Sequence, residues 1–228
     1  MSGRLIVFEG GEGAGKTTQL AKSDAWLVES GWLSVLQSKG YIQRVVVSRE
    51  PGGTAIGQNI RRLLLEPASP QALADRTELL LYAADRAQHV EEFLQPQLNQ
   101  GALILCDRFT DSTIAYQGYG RGLALDLIRQ LNQIATNGLQ SDLTLWLDLD
   151  PEIGLTRTKQ RGTLDRLEKT NLAFHRRVRE GFAQLAQQHP QRIVRIDANQ
   201  PEAQVTRQVQ DVLKQAFDRW FGENKGLN

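Results

Sequence analysis

Short apolar runs alternate with longer amphipathic stretches along this chain. The apolar runs predict strands at Leu5–Glu9, Val45–Ser48, Leu103–Asp107, Leu143–Leu149 and Ile193–Ile196. The stretches between them predict helices at Lys16–Ser30, Ile56–Leu65, Gln71–Gln100, Ala124–Asn137, Glu152–Gln160, Lys169–His189 and Pro201–Trp220. Because strands and helices alternate, we expect an α/β fold in which right-handed crossovers join the strands of a parallel sheet.

The segment between the first predicted strand and the first predicted helix fits the phosphate-binding pattern G-x-x-x-x-G-K-[ST]. It reads Gly10-Gly11-Glu12-Gly13-Ala14-Gly15-Lys16-Thr17. Its glycines let backbone N–H groups converge on phosphate oxygens, and the positive end of the following helix faces the same anion. Lys16 offers a cation to the outer phosphates, and Thr17 offers a hydroxyl to Mg²⁺. The pattern therefore predicts a nucleoside triphosphate site.

Composition narrows the class of protein. The chain has 228 residues and a formal net charge of +1, from 27 Lys plus Arg against 26 Asp plus Glu. Such a charge provides no global attraction to nucleic acid or to a membrane surface. The lone cysteine, Cys106, lies in an apolar run and is expected to be a small buried hydrophobe. With no membrane-length apolar run or secretory leader, we expect a cytoplasmic enzyme with one domain over residues 1–222 and a frayed tail at 223–228.

Polar residues follow three of the predicted strands. In an open parallel sheet, ligands bind beyond the carboxyl ends of the strands, so the phosphate loop, Arg49–Gly53 and Asp107–Arg108 should share one crevice. Asp107 can orient Mg²⁺ through water, and Arg108 can grip a phosphate. An arginine in place of a water-activating glutamate favours a second phosphorylated ligand over hydrolysis. The alternative is an Asp107–Arg108 ion pair that only closes the strand.

Downstream residues suggest a base site and a lid. Tyr82 and Arg86 are four apart on one helical face, where a ring and a guanidinium can hold a flat base, although such pairs are often only packing. The cluster Ser112–Gln117 follows closely and can reach the same crevice. A basic group brackets Gly162–Thr163 and predicts a mobile lid at about 157–168, or else a solvated helix end. Its members are Arg157, Lys159, Arg161 and Arg166.

The combined motifs resemble the bacterial type of thymidylate kinase, a family of P-loop nucleoside monophosphate kinases. The resemblance runs from Arg4 to about Trp220, and its specific segments are Phe8–Thr18, Arg49–Gly53, Asp107–Arg108 and Ala115–Gly118. It implies a P-loop NTP hydrolase fold with a five-stranded parallel sheet, a short lid and a homodimer. It also implies transfer of the γ-phosphoryl group from ATP, with Mg²⁺, to dTMP in dTTP biosynthesis.

The resemblance also implies residue roles. For the base of the substrate, Tyr82 stacks on thymine, Arg86 donates to O4, and Gln117 and Thr113 read N3. Tyr116 crowds the sugar, and Arg61 and Arg108 hold the acceptor phosphate. Glu12 and Glu50 lie near the sugar and phosphate. For ATP, the implied contacts are Gly10, Gly11, Glu12, Gly13, Ala14, Gly15, Lys16, Thr17, Thr18 and Arg157. The implied catalytic set is Lys16, Asp107, Arg108, Arg161 and Arg166, with Thr17 and Asp107 at the metal. Since Gly13 leaves the phosphate loop without an arginine, family members of this kind supply that cation from the lid.

Two further segments contribute to the interpretation. Ala198–Pro201 resembles the adenine-side loop of the family, and Arg176, Arg177 and Arg179 suggest surface or helix pairing. The chain departs from the family at Leu33–Gln43, which is longer than usual and is expected to be a surface excursion, and at Tyr82, where Phe is commoner.

The competing enzyme hypothesis is a deoxynucleoside kinase, whose acceptor would leave Arg61 and Arg108 without a phosphate. A GTPase-type switch or a DNA motor is disfavoured, because N-K-x-D is missing and the charge is near neutral.

Overall fold

Five parallel strands form the sheet of this protein, whose structure is a computed structural model describing residues 3–66, 73–160, 162 and 165–222. The strands are β1 (Arg4–Glu9), β2 (Arg44–Arg49), β3 (Ala102–Asp107), β4 (Leu143–Asp148) and β5 (Ile193–Asp197). Their order across the sheet is β2-β3-β1-β4-β5, and all neighbouring pairs are parallel. The predicted α/β fold with a five-stranded parallel sheet is confirmed.

Strand register brings the motifs together at one edge. Asp107 at the end of β3 lies opposite Phe8 of β1 and Arg49 of β2. The phosphate loop, the Arg49–Gly53 turn and Arg108 therefore leave the sheet side by side, as the sequence predicted.

The middle of β1 is apolar on both sides of the sheet, because helices cover both faces of a parallel sheet. Ile6 and Phe8 pack into one core cluster, whereas Leu5 and Val7 pack into another.

Helices cover these faces. They are α1 (Lys16–Glu29), α2 (Trp32–Ser38), α3 (Ala55–Leu65), α4 (Asp75–His89), α5 (Gln95–Asn99), α6 (Thr110–Thr113), α7 (Leu125–Thr136), α8 (Pro151–Gln160), α9 (Leu172–Gln188) and α10 (Glu202–Phe221). Two π-helical segments, Val90–Leu94 and Ile114–Gly120, follow α4 and α6. Within the described residues, no helix combines the length and the apolar composition that a membrane span requires.

The structure corrects two predicted segments. The single helix expected over Gln71–Gln100 starts at Asp75 within the described residues, and the π-helical turn interrupts it before Pro96. Proline has no N–H to donate to the preceding turn, which gives a physical reason for the interruption. The excursion expected at Leu33–Gln43 is mostly the short helix α2, whose Trp32 and Leu36 are buried.

Other sequence expectations concern single residues and the tail. Cys106 is fully buried, as predicted, and burial raises the pKa of its thiol well above the usual range. The frayed tail expected at 223–228 lies outside the described residues. The extent of the single domain stays a prediction.

Candidate active site

A cavity of about 680 Å³ opens at the carboxyl edge of the sheet. Most residues that the sequence singled out line it: Glu12, Gly13, Ala14, Gly15, Lys16, Thr17, Thr18, Glu50, Arg61, Tyr82, Arg86, Asp107, Arg108, Thr113, Tyr116, Gln117 and Arg157. Gly10 and Gly11 lie just beneath it, since their carbonyl groups accept hydrogen bonds from Lys16. The phosphate loop and the suspected base-binding residues thus face one space.

The phosphate loop has a conformation that requires glycine. Gly13 has φ +67°, and a Cβ added there would lie 2.4 Å from the carbonyl oxygen of Gly154. Gly15 has φ +88° and precedes α1, which has no side-chain cap, so backbone N–H groups at this end remain available to an anion. The Lys16 ammonium donates to the carbonyl oxygens of Gly10 at 3.1 Å and Gly11 at 2.8 Å. Burial and the nearby Arg108 charge lower the pKa of Lys16.

Thr17 and Asp107 meet where a metal would be needed. The Thr17 hydroxyl donates to Asp107 Oδ2 at 3.0 Å. The other carboxylate oxygen, Asp107 Oδ1, is buried and accepts no hydrogen bond from any described residue. Among the described residues, no group of three or more acidic, histidine or cysteine side chains could hold a metal alone. This donor set fits Mg²⁺ whose remaining ligands are water and phosphate oxygens.

Arg108 does not form the ion pair with Asp107 that the sequence allowed as an alternative. Its guanidinium donates to Glu12 Oε1 at 2.8 Å, to the Tyr116 hydroxyl at 3.0 Å and to the Gly10 carbonyl at 3.0 Å. It also lies 4.9 Å from the centre of the Tyr116 ring. The residue has φ +70°, which is unusual for a residue other than glycine and holds the side chain over the phosphate loop.

Glu12 balances this arginine. Its Oε1 accepts hydrogen bonds from Arg108 and from the Tyr116 hydroxyl, the latter at 2.7 Å. Burial would raise the pKa of Glu12, but the charges of Arg108 and Lys16 outweigh it and lower the value to about 2. Glu12 is therefore ionised at neutral pH and holds Arg108 in place.

Glu9 is a site residue that the sequence analysis missed. It is fully buried at the end of β1, where its Oε1 accepts from the backbone N–H groups of Phe109 at 2.9 Å and Ser112 at 3.0 Å. Its Oε2 accepts from the Ser112 hydroxyl at 2.6 Å. Burial raises the pKa of Glu9 to about 7, although the Arg108 charge opposes the shift. The signal available in the sequence was a carboxylate ending an otherwise apolar strand.

Arg86 lines the cavity and is only 1% exposed. It donates to Glu50 Oε2 at 2.8 Å, Thr113 Oγ1 at 2.9 Å, Asn132 Oδ1 at 2.7 Å and the Phe109 carbonyl at 3.0 Å. These bonds use four of the five N–H groups of the guanidinium, and the fifth has no hydrogen-bond partner among the described residues. Local sequence does not reveal Asn132 as a partner, since it lies 46 residues away along the chain.

The neighbouring base-site residues are also held by buried carboxylates. Gln117 donates to Glu78 Oε1 at 2.6 Å, and Glu78 is fully buried. Both oxygens of Glu50 are bound inside the protein, one by Arg86 and one by His89. Glu50 thus supports Arg86 from behind, and its expected position near the sugar and phosphate stays a prediction.

Two further arginines line the same cavity. Arg61 donates to the Pro51 carbonyl at 2.9 Å, and Arg49, which the sequence marked only as part of the turn, lies beside it. Burial, followed by the Arg49 charge, lowers the pKa of Arg61. Together with Arg108 they make this stretch strongly cationic, and such a stretch favours a phosphate.

The structure separates the basic residues of the expected lid. Arg157 lines the cavity and donates to the Gly13 carbonyl at 3.4 Å, while Arg161 lies outside the described residues. Arg166 donates to the Leu64 carbonyl at 2.8 Å and forms an ion pair with Glu78. Arg166 is therefore held by α3 and α4 in this structure.

The three arginines of α9 serve pairing within the protein, as expected. Arg176 pairs with Glu152, Arg179 pairs with Asp148, and Arg177 donates to the Gly120 carbonyl. The suspected adenine-side loop contributes Ala198 and Gln200 to the lining of the cavity.

Comparisons with known proteins agree with this geometry. The family model described as Thymidylate kinase matches residues 8–209. A thymidylate kinase from Cyanothece sp. is 59% identical, with 97% of each chain covered. Those from Acaryochloris marina and Thermosynechococcus vestitus are 57% and 56% identical, covering 97% and 96% of this chain and 100% and 90% of their own. Since the motifs, the fold and these near-full-length similarities agree, the chain belongs to the thymidylate kinase family.

Proposed function

We propose that this protein transfers the γ-phosphoryl group of ATP to dTMP, giving dTDP and ADP for dTTP synthesis. The carrying observation is a single cavity lined by the phosphate loop after β1, by Arg108 after β3 and by the buried Arg86, which bonds to Glu50 after β2. The strands that carry these groups lie side by side in the order β1-β3-β2. Two anionic ligands can meet there head to tail. The relatives named thymidylate kinase support this function, and nothing in the comparisons supports a deoxynucleoside kinase.

The donor end would bind ATP through the loop that runs from Gly10 to Thr18. The Lys16 ammonium now donates hydrogen bonds to the carbonyl oxygens of Gly10 and Gly11. When ATP binds, it would donate to the outer phosphate oxygens instead. Thr17 and Asp107 would hold Mg²⁺, because their oxygens adjoin and Asp107 Oδ1 is unpartnered among the described residues. When bound, Mg²⁺ offsets the negative charge of the phosphates in the loose transition state.

The acceptor end would bind dTMP. The ring of Tyr82 would stack on thymine, the fifth N–H of Arg86 would donate to O4, and Thr113 with Gln117 would read N3. Arg61 and Arg108 would hold the acceptor phosphate, with Arg49 beside them. Tyr116, fixed by Glu12 and Arg108, would crowd a 2′-hydroxyl. Phosphoryl transfer depends on such positioning and on cations, and it requires no nucleophilic residue of the enzyme.

A lid arginine would add charge in the transition state. Arg157 contacts the loop in this structure, whereas Arg166 would first have to leave Glu78. Arg161 remains our preferred catalytic candidate together with Arg166, on the family pattern alone.

We also infer a homodimer. Apolar side chains are exposed on three neighbouring helices: Ile56 and Leu63 of α3, Leu80 of α4, and Leu127 and Ile134 of α7. The pairs in α3 and α7 are seven residues apart, so each pair lies on one helical face. Such a patch is typical of a subunit interface.

We further propose a cytoplasmic location, with one kinase domain over residues 1–222 and no nucleic acid or membrane partner.

A substrate panel tests the function. Purified protein with ATP and Mg²⁺ would be given dTMP, UMP, dCMP or thymidine, and ADP release would be followed in a coupled assay. We expect dTMP to give by far the highest kcat/KM. Faster turnover of UMP or dCMP would refute the proposed acceptor, and faster turnover of thymidine would favour the deoxynucleoside kinase.

A further inference from the structure

A row of hydrogen bonds runs behind the base site from the edge strand β2 to Arg86. The Ser48 hydroxyl lies 2.7 Å from His89 Nε2, and His89 Nδ1 lies 2.9 Å from Glu50 Oε1. The other oxygen of Glu50 accepts from Arg86 Nε at 2.8 Å. His89 and Glu50 are 0% and 3% exposed, so this row is shielded from solvent.

The chemistry of the groups fixes the direction of the bond between His89 and Glu50. An ionised carboxylate only accepts, so Nδ1 of His89 carries the proton that bonds to Glu50. In the neutral ring, Nε2 is then an acceptor and receives the Ser48 hydroxyl proton. His89 thus orients one oxygen of Glu50, while the other oxygen orients Arg86.

The same helical face also holds the turn that carries Glu50. Asp85 Oδ1 accepts from the backbone N–H of Gly52 at 2.9 Å. A Cβ added to Gly53 would lie 2.5 Å from His89 Nε2, so the imidazole packs directly against the turn. Tyr82 and Arg86 face the ligand from this helix, while Asp85 and His89 clamp the adjoining loop.

We propose that His89 is a positioning residue for base recognition, acting through Glu50 on Arg86. Its Nδ1 proton fixes the carboxylate so that the spare N–H of Arg86 faces O4 of the pyrimidine. The inference rests on the proposed function, since it takes Arg86 as the reader of O4. It adds a role for a buried histidine that never touches substrate.

Two variants separate positioning from packing. In His89→Asn, the amide nitrogen occupies nearly the place of Nδ1 and can still donate to Glu50. In His89→Gln, the amide nitrogen reaches the place of Nε2 instead, and Glu50 loses its donor. A structural role alone predicts that both substitutions lower the melting temperature while recognition is kept. The positioning role predicts that recognition is lost only in His89→Gln.

The readout is selectivity between dTMP and 5-methyl-dCMP, which differ at position 4 and in the N3 proton. We expect His89→Gln to lower kcat/KM for dTMP about tenfold or more, mainly by raising KM, because loss of a supporting hydrogen bond commonly has an effect of this size. Selectivity for dTMP over 5-methyl-dCMP should fall by a similar factor. The KM for ATP should not change. His89→Asn should stay within about threefold of wild type in both quantities. Selectivity unchanged in His89→Gln, or lost equally in both variants, would overturn the proposal.

Control variants distinguish the possible failures. Arg86→Met should abolish the selectivity. If it does not, Arg86 is not the reader and this part of the proposed function fails, together with the inference. If Arg86→Met loses selectivity but His89→Gln keeps it, only the inference fails. The matched control His189→Gln changes an exposed histidine and should behave as wild type.

A milder variant covers the case in which a His89 substitution prevents folding. Ser48→Ala on the edge strand removes the hydroxyl that bonds to Nε2 and leaves the core in place. It should reduce selectivity for dTMP about threefold, and unchanged selectivity in this variant would overturn the proposal.

Discussion

Replacing Glu9 by glutamine should change how stability depends on pH. Glu9 has no exposed surface, and its two oxygens accept from the N–H groups of Phe109 and Ser112 and from the Ser112 hydroxyl. Glutamine has the same shape and can keep the two backbone bonds through its carbonyl while its amide donates to the hydroxyl. The substitution therefore removes the charge with little change in packing.

The magnitude follows from the pKa of Glu9, which burial raises from 4.5 to about 7. The difference of about 2.5 pH units corresponds to about 3 kcal/mol, at about 1.36 kcal/mol per unit. Because the folded pKa lies above the unfolded one, the folded state binds more protons between these values. The contribution of Glu9 to stability is fully present below about pH 4.5 and is lost as the pH rises through about 7.

Urea unfolding of both proteins from pH 4.5 to 8.5 measures this effect. Glu9→Gln should gain stability relative to wild type as the pH rises, by up to about 3 kcal/mol near pH 8. The difference between the two curves isolates Glu9, because the other titrating groups, such as Asp85 with a pKa near 6, are shared. The matched control Glu29→Gln replaces an exposed glutamate and should give a flat difference.

Parallel curves for Glu9→Gln and wild type, within about 0.5 kcal/mol at every pH, would refute the reasoning. A difference of the opposite sign would mean that Glu9 is stabilised as the carboxylate by its three donors and Arg108. A carboxyl group retained at this cost is typical of a functional site. Its function here would be to hold the turn that carries Arg108.

Four further substitutions test the remaining site. Lys16→Ala should lower kcat at least about 100-fold in a protein that still unfolds cooperatively; loss of the cooperative transition in circular dichroism would contradict a purely catalytic role. Arg108→Ala should raise KM for dTMP and lower kcat while the Kd for ATP, measured calorimetrically, stays the same, and a collapse of ATP binding would misplace the acceptor. Arg161→Ala should lower kcat more than either KM, whereas an unchanged kcat would assign the lid role elsewhere. Gly53→Ala should destabilise the fold by about 1–3 kcal/mol through contact with His89, and an unaltered melting temperature would show that the turn yields easily.

Local sequence was enough for much of this protein. Each strand is a short apolar run, and the phosphate loop is contiguous, so neighbouring residues alone carry those signals. Parallel pairing then requires the loops after β1, β2 and β3 to meet at one edge, so the strand pattern alone predicts that Lys16, Arg49 and Arg108 lie together. Family membership was likewise visible from the order of short motifs.

Tertiary structure decided the partners of the buried charges. Arg108 could have paired with its neighbour Asp107 but bonds to Glu12, 96 residues away, because its positive φ turns it over the phosphate loop. Glu9 accepts from Ser112 across 103 residues. Local periodicity contains no information about which distant carboxylate fills the remaining volume beside a guanidinium.

The same reason explains why local sequence did not reveal the partners of Arg166 and His89. Arg166 belongs to the basic group from which the lid was predicted, yet in this structure it is bound to Glu78 of α4, 88 residues away. His89 was an ordinary helical position in the sequence, seven residues after Tyr82 on the same helical face. Only the packing of α4 against the turn after β2 gives its imidazole both Ser48 and Glu50 as partners, since buried polar groups must satisfy their hydrogen bonds wherever the fold brings them.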